Sequence, residues 1–134
     1  MVTPVHEARA PSRARAFSLI ELMVVMAVIA VLLSIAMPQY LARVDRGKET
    51  VLRENLDAMR EAIDRFREDN DTYPESLVEL VERRYLRAIP ADPVTERADT
   101  WRTQAPPAGV RGGVYDVRSG AEGTAASGLA FSDL

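Results

Sequence analysis

Hydrophobic and polar positions are segregated along the 134 residues. From Phe17 to Met37 (FSLIELMVVMAVIAVLLSIAM) the only charge is Glu21. As a helix this 21-residue run is about 32 Å long at about 1.5 Å per residue, and a bilayer's hydrocarbon core is about 30 Å thick. Beyond it the pattern turns amphipathic. Leu52, Leu56, Met59, Ile63 and Phe66 recur at spacings of 4, 3, 4 and 3, which is one helical face. Charged residues fill the positions between, and Glu49–Arg53 and Glu61–Arg65 form attractive four-apart pairs. The two patterns predict one long helix over about 17–71, with its charged face solvated. Pro38 removes an amide hydrogen bond and crowds the Ser34 carbonyl. Because the following sequence still reads helical, Pro38 predicts a kink or weak point, and Gly47 weakens the same stretch.

Asp69-Asn70-Asp71-Thr72 is a turn signal. Pro74 suits the first turn of a second, short helix, with Leu77, Leu80 and Val81 as its apolar face and an end near Arg84. Thr100–Gln104 and Gly113–Arg118 are strand candidates, with Trp101, Val114, Tyr115 and Val117 as packing residues. Ala105-Pro106-Pro107-Ala108-Gly109 is a loop between them. The fold class is therefore α+β: a long N-terminal helix packed on a short helix and a small antiparallel sheet of two to four strands.

Composition narrows the chemistry. There is no cysteine, and His6 is the sole histidine. Disulfides, thiolate sites and, if the N-terminal region is removed, imidazole chemistry drop out. The net charge of −3 argues against a general nucleic-acid binder. Asp45-Arg46-Gly47-Lys48-Glu49 lacks the Ser or Thr that a phosphate loop needs after lysine. The glycines of Gly109–Gly113 lack the strand-turn-helix setting of a dinucleotide loop. The chain reads as a non-enzyme.

The apolar run has three readings, the third being the buried helix of a soluble domain. A membrane anchor fits its length, while Ser34-Ile35-Ala36 resembles the cleavage site of a conventional signal peptide. Residues 1–16 carry Arg9, Arg13 and Arg15 against Glu7, so their removal takes the charge from −3 to −5. Glu21 has two readings: a carboxylate snorkelling to the interface, or a buried anion awaiting a cation.

Ala16-Phe17-Ser18-Leu19-Ile20-Glu21, after a basic leader and before an apolar helix with Pro38, resembles the prepilin signal of type IV pilins and type II secretion pseudopilins. Ala16 stands where the family usually has glycine. Asp69-Asn70-Asp71-Thr72-Tyr73-Pro74 resembles the Asp-Asn-Gly-x-Tyr-Pro junction of the G-type (major) pseudopilins. Ile89-Pro90-Ala91-Asp92-Pro93-Val94-Thr95 resembles their Pro-x-Asp-Pro-x-Thr turn. Ser119-Gly120-Ala121-Glu122-Gly123-Thr124 resembles their calcium-binding loop, with Glu122 where aspartate is usual and the later acidic cluster reduced to Asp133.

The resemblance implies a pilin-like lollipop with three parts: a leader (1–16), a transmembrane and assembly helix (17–37) and a periplasmic domain (38–134). A prepilin peptidase would cut between Ala16 and Phe17 and N-methylate Phe17. Glu21 would neutralise the Phe17 amine of an adjacent subunit. Glu122 and Asp133 would supply carboxylates to calcium, with Ser119 and loop carbonyls completing the shell; the alternative is a calcium-free loop closed by hydrogen bonds. The protein would sit in the bacterial inner membrane as a single-pass chain. It would polymerise with other pseudopilins on the inner-membrane assembly platform and drive protein export, with no nucleic acid as partner. The alternatives are a type IV pilin for adhesion, motility or DNA uptake, for which Arg83, Arg84, Tyr85 and Arg87 come nearest to a binding strip, and an anchored binding domain that never polymerises.

Overall fold

The computed structural model describes Met1–Thr3 and Ala16–Leu134. Most of the expected leader, including His6 and its arginines, lies outside the described residues. The elements are α1 (Leu19–Asn70), α2 (Leu77–Glu82), β1 (Arg102–Gln104), β2 (Asp116–Arg118) and a 3-10 turn at Phe131–Asp133. The chain divides into two units, Met1–Met37 and Pro38–Leu134.

α1 has 52 residues, about 78 Å of helix. Both Pro38 and Gly47 lie inside it, so neither ends it. In the first unit every described side chain is exposed. This stretch of α1 is long and apolar enough to cross a membrane, and none of it is buried within the protein.

The second unit is built on the predicted stripe. Leu52, Leu56, Met59, Ile63 and Phe66 are all 2% exposed or less. Against them pack Leu77 and Leu80 of α2, together with Val114 and Val117. Phe66 also meets the Tyr85 ring edge-on at 5.3 Å.

α2 starts later than Pro74. Ser76, in extended conformation, is its N-cap, and its hydroxyl accepts from the Glu79 amide at 3.3 Å. Pro74 is instead buried at the junction, where its carbonyl accepts from Gly113 and Val114 at 3.0 and 2.8 Å. Gly112 is held at φ +120°, and a Cβ there would meet the Tyr73 carbonyl oxygen at 2.5 Å. Only glycine lets this segment approach so closely.

The sheet has two strands, in antiparallel register Arg102↔Arg118, Thr103↔Val117 and Gln104↔Asp116. β2 begins at Asp116 and not at Gly113, because Gly113 and Val114 are drawn onto Pro74. Period-two alternation therefore fails across the segment: Val114 and Val117 are both buried, while Tyr115 is 48% exposed. Tyr115 packs edge-on against Tyr73 at 5.3 Å. Trp101 is half-buried against the core, with its indole N–H donating to the Pro90 carbonyl at 2.8 Å.

Both helices of the second unit end on left-handed residues that are not glycine. Asp71 (φ 56°) donates to the Arg67 carbonyl, and Arg84 (φ 64°) to that of Val81, with Tyr85 reaching Leu80. The second arrangement is a Schellman closure. Left-handed backbone costs an L-residue about 1–2 kcal/mol, less for aspartate than for arginine. Arg84→Gly should therefore stabilise the protein by about 0.5–1 kcal/mol in denaturant unfolding, and Asp71→Gly by less.

Candidate functional site

Two groups of residues are candidates: the start of α1 and the C-terminal loop. Ala16, Phe17 and Ser18 are exposed and precede the helix. Ser18 closes its first turn, with its hydroxyl accepting from the Glu21 amide at 3.2 Å and its carbonyl from the Leu22 amide at 3.2 Å. Ser18-Leu19-Ile20-Glu21 is thus a Ser-x-x-Glu start signal, legible in the sequence but overlooked there. It leaves the Ala16–Phe17 bond in non-helical, exposed chain, the form a protease needs. It also puts Glu21 in the first turn, where the helix dipole favours an anion.

In the C-terminal loop, Ser119 is fully buried and committed. Its hydroxyl donates to Asp92 at 2.5 Å and accepts from the Ala121 amide at 3.1 Å. Glu122 is exposed and lines a cleft of about 580 Å³ with Asp45, Arg46 and Lys48. Asp133 instead faces Arg118 at 3.8 Å. Among the described residues no three acidic or histidine side chains are grouped as metal ligands.

Three side chains that hold this region escaped the sequence reading. Asp92 is fully buried and accepts from the Val94 and Thr95 amides at 2.8 and 3.3 Å, as well as from Ser119. Glu49, three residues before Leu52 and so in line with the apolar stripe, is 8% exposed. It accepts from the Ser127 amide at 3.1 Å and from Arg53 at 2.9 and 3.2 Å. These bonds, Ser127's first and then Arg53's, hold its carboxyl below the ordinary value. Arg60, expected in solvent, reaches Asp116 at 2.9 Å and the backbone oxygens of Val117 and Leu134 at 3.1 Å each. A spacing rule sees only neighbours three or four apart; it finds Arg53 beside Glu49, but the partners of Arg60 and the Ser127 amide on Glu49 are 56 to 78 residues away.

The basic strip at residues 83–87 is not flat. Tyr85 donates its hydroxyl to Asp69 at 2.7 Å, a bond that raises its pKa. Arg83 lies over the Phe66 ring at 5.8 Å.

An exposed apolar run that starts at a capped first turn, continuous in one helix with a small α+β domain, defines a pilin-like class. The family pattern of the prokaryotic N-terminal methylation motif matches residues 11–37. Type II secretion system core protein G of Pseudomonas aeruginosa is 32% identical over 93 residues, covering 58% of this chain and 66% of that protein. Its namesake in Escherichia coli K12 is 31% identical over 101 residues, covering 63% and 70%. The chain therefore belongs to the type II secretion system core protein G family. It spans about two thirds of the length of these relatives. No solved structure matches it.

Replacing Asp92 by alanine removes the acceptor of the buried Ser119 hydroxyl proton and of two part-buried amides. The expected loss is about 3 kcal/mol or more in denaturant unfolding, with Asp92→Asn costing less because one carbonyl acceptor remains. Glu49 generates a pH dependence. Its carboxyl is lowered in the folded state, so its contribution is complete above the ordinary carboxylate pKa and fades as pH falls through the folded value. In acid titrations of stability, Glu49→Gln should flatten that part of the curve; an unchanged slope would show that Glu49 is not the group responsible.

Proposed function

We propose that this chain is the major subunit of a periplasmic pseudopilus in a type II secretion system. A prepilin peptidase cleaves it between Ala16 and Phe17 and methylates the new amine of Phe17. The observation that carries this reading is the start of α1: the match to the methylation motif spans Ala16, Phe17 and Glu21, and Ser18 keeps the scissile bond outside the helix. The apolar half of α1 holds the subunit in the inner membrane, with Pro38–Leu134 in the periplasm. Filament growth on the assembly platform then moves cargo outward. No catalytic role is assigned to any residue.

Physical chemistry supports a pairing role for Glu21. A lone carboxylate packed among apolar helices is costly, and a partner amine removes that cost at one axial stagger and not at its neighbours. The Phe17 amine of an adjacent subunit is the cation this reading supplies. A register device of this kind selects an arrangement more than it adds stability.

Mass spectrometry of the membrane-extracted protein should find a chain that begins at N-methylated Phe17. An intact Met1 would point to a plain anchored protein, and a start near Met37 to a conventional signal peptide; either overturns the reading. Glu21→Leu should leave the protein processed and membrane-bound while filaments are lost. Normal filaments from that variant would remove the register role.

A further inference from the structure

We propose that Arg60 and Arg118 do in this chain what a calcium ion does in the loop its sequence resembles, so that the C-terminal segment is fixed without a divalent cation. The inference rests on the fold of the second unit and on family membership, not on filament assembly.

Calcium orders a loop by gathering six to eight carboxylate and carbonyl oxygens around one divalent charge. Here two guanidinium groups gather oxygens of the same kinds. Arg60 takes one Asp116 carboxylate oxygen and the backbone oxygens of Val117 and Leu134. Arg118 takes the Ser132 carbonyl at 3.2 Å and faces Asp133 at 3.8 Å and the other Asp116 oxygen at 4.0 Å. Asp116 is shared between them, so β2 and the 3-10 turn are tied through one pair of cations.

Charge argues the same way. Two arginines bring the two positive charges of a calcium ion to this corner, facing Asp116 and Asp133. A calcium ion added here would meet two cations already in place, which repel it. The Arg118 Nε is buried without a hydrogen-bond acceptor, a demand for an oxygen lone pair and not for a cation. The other ligands the resemblance offers are occupied or apart: the Ser119 hydroxyl is spent on Asp92 and Ala121, and Glu122 faces the cleft. Glu49 reaches across to the Ser127 amide and fastens the middle of the same segment with a carboxylate of the long helix.

The test uses the full chain in detergent micelles, titrated with calcium chloride after treatment with a chelator. No saturable heat of binding is expected. Hydrogen exchange over residues 116–134 should change by less than about threefold between chelator and millimolar calcium. Saturable binding, or calcium-dependent slowing beyond that limit, overturns the proposal. Arg60→Met keeps much of the apolar stem and removes the charge. It should speed exchange in the same segment by about tenfold or more without creating calcium dependence, and unchanged exchange would equally overturn it. Should Arg60→Met fail to fold, Arg118→Met carries the same expectation, and the wild-type titration needs no variant. Loss of filaments in Glu21→Leu bears only on the assembly reading, so the two failures are distinguishable.

Discussion

The apolar stripe of α1 is the surface on which the rest of the second unit depends. α2 has six residues and each strand three. A helix of that length is not stable alone in water, nor is a pair of strands so short. They exist because Leu52, Leu56, Met59, Ile63 and Phe66 give them an apolar floor already fixed by a long helix. Each such side chain contributes about 1.5–3 kcal/mol when fully buried. Truncation within the stripe therefore removes support from α2 and the sheet together.

Apolar burial fixes the floor but not the path of the loops above it. Residues 83–101 and 119–130 hold little regular structure, so their backbone groups need partners other than a ladder. Asp92 serves one of these segments by accepting from two amides of its own turn, and joins the two segments through Ser119. The Trp101 indole ties the first back to Pro90. Arg60 and Glu49 reach out from the helix itself to Asp116, Val117, Leu134 and Ser127. The long helix thus supplies both the apolar floor and the polar fasteners, on adjacent faces.

What the sequence revealed follows from the range of each rule. Helical periodicity is local, and it found the whole stripe and the continuity of α1. Capping is local too, and Ser76 shows how it decides a boundary that Pro74 alone misplaced. The strand boundary at Asp116 was not legible, because it is set by hydrogen bonds from Gly113 and Val114 to Pro74, some forty residues earlier. Arg60 looked like a member of a solvated charge run for the same reason, and the Glu49–Arg53 pair gave no sign of Ser127. In the candidate site, the start of α1 was legible because its residues are consecutive, whereas the fastening of the C-terminal loop depends on partners that only the fold brings together.

The exposed first unit poses the remaining physical question. A soluble monomer rarely leaves so large a contiguous apolar surface uncovered, and lipid or neighbouring helices satisfy it equally well. Hydrophobicity therefore cannot set the order of subunits in the proposed filament, because it is nearly indifferent to sliding along the axis. Glu21, the one charge between Phe17 and Met37, breaks this indifference. Cleavage before Phe17 would place a new positive charge at the positive end of the helix dipole, where it is unfavourable unless an anion lies close. The Glu21 of the same chain sits one turn away, in the capped first turn. Packing a second helix beside it offers another carboxylate to the same amine. In the proposed filament, assembly would then be favoured at the stagger that satisfies both charges at once, and a carboxylate near the end of an apolar helix would act as a ruler for subunit spacing.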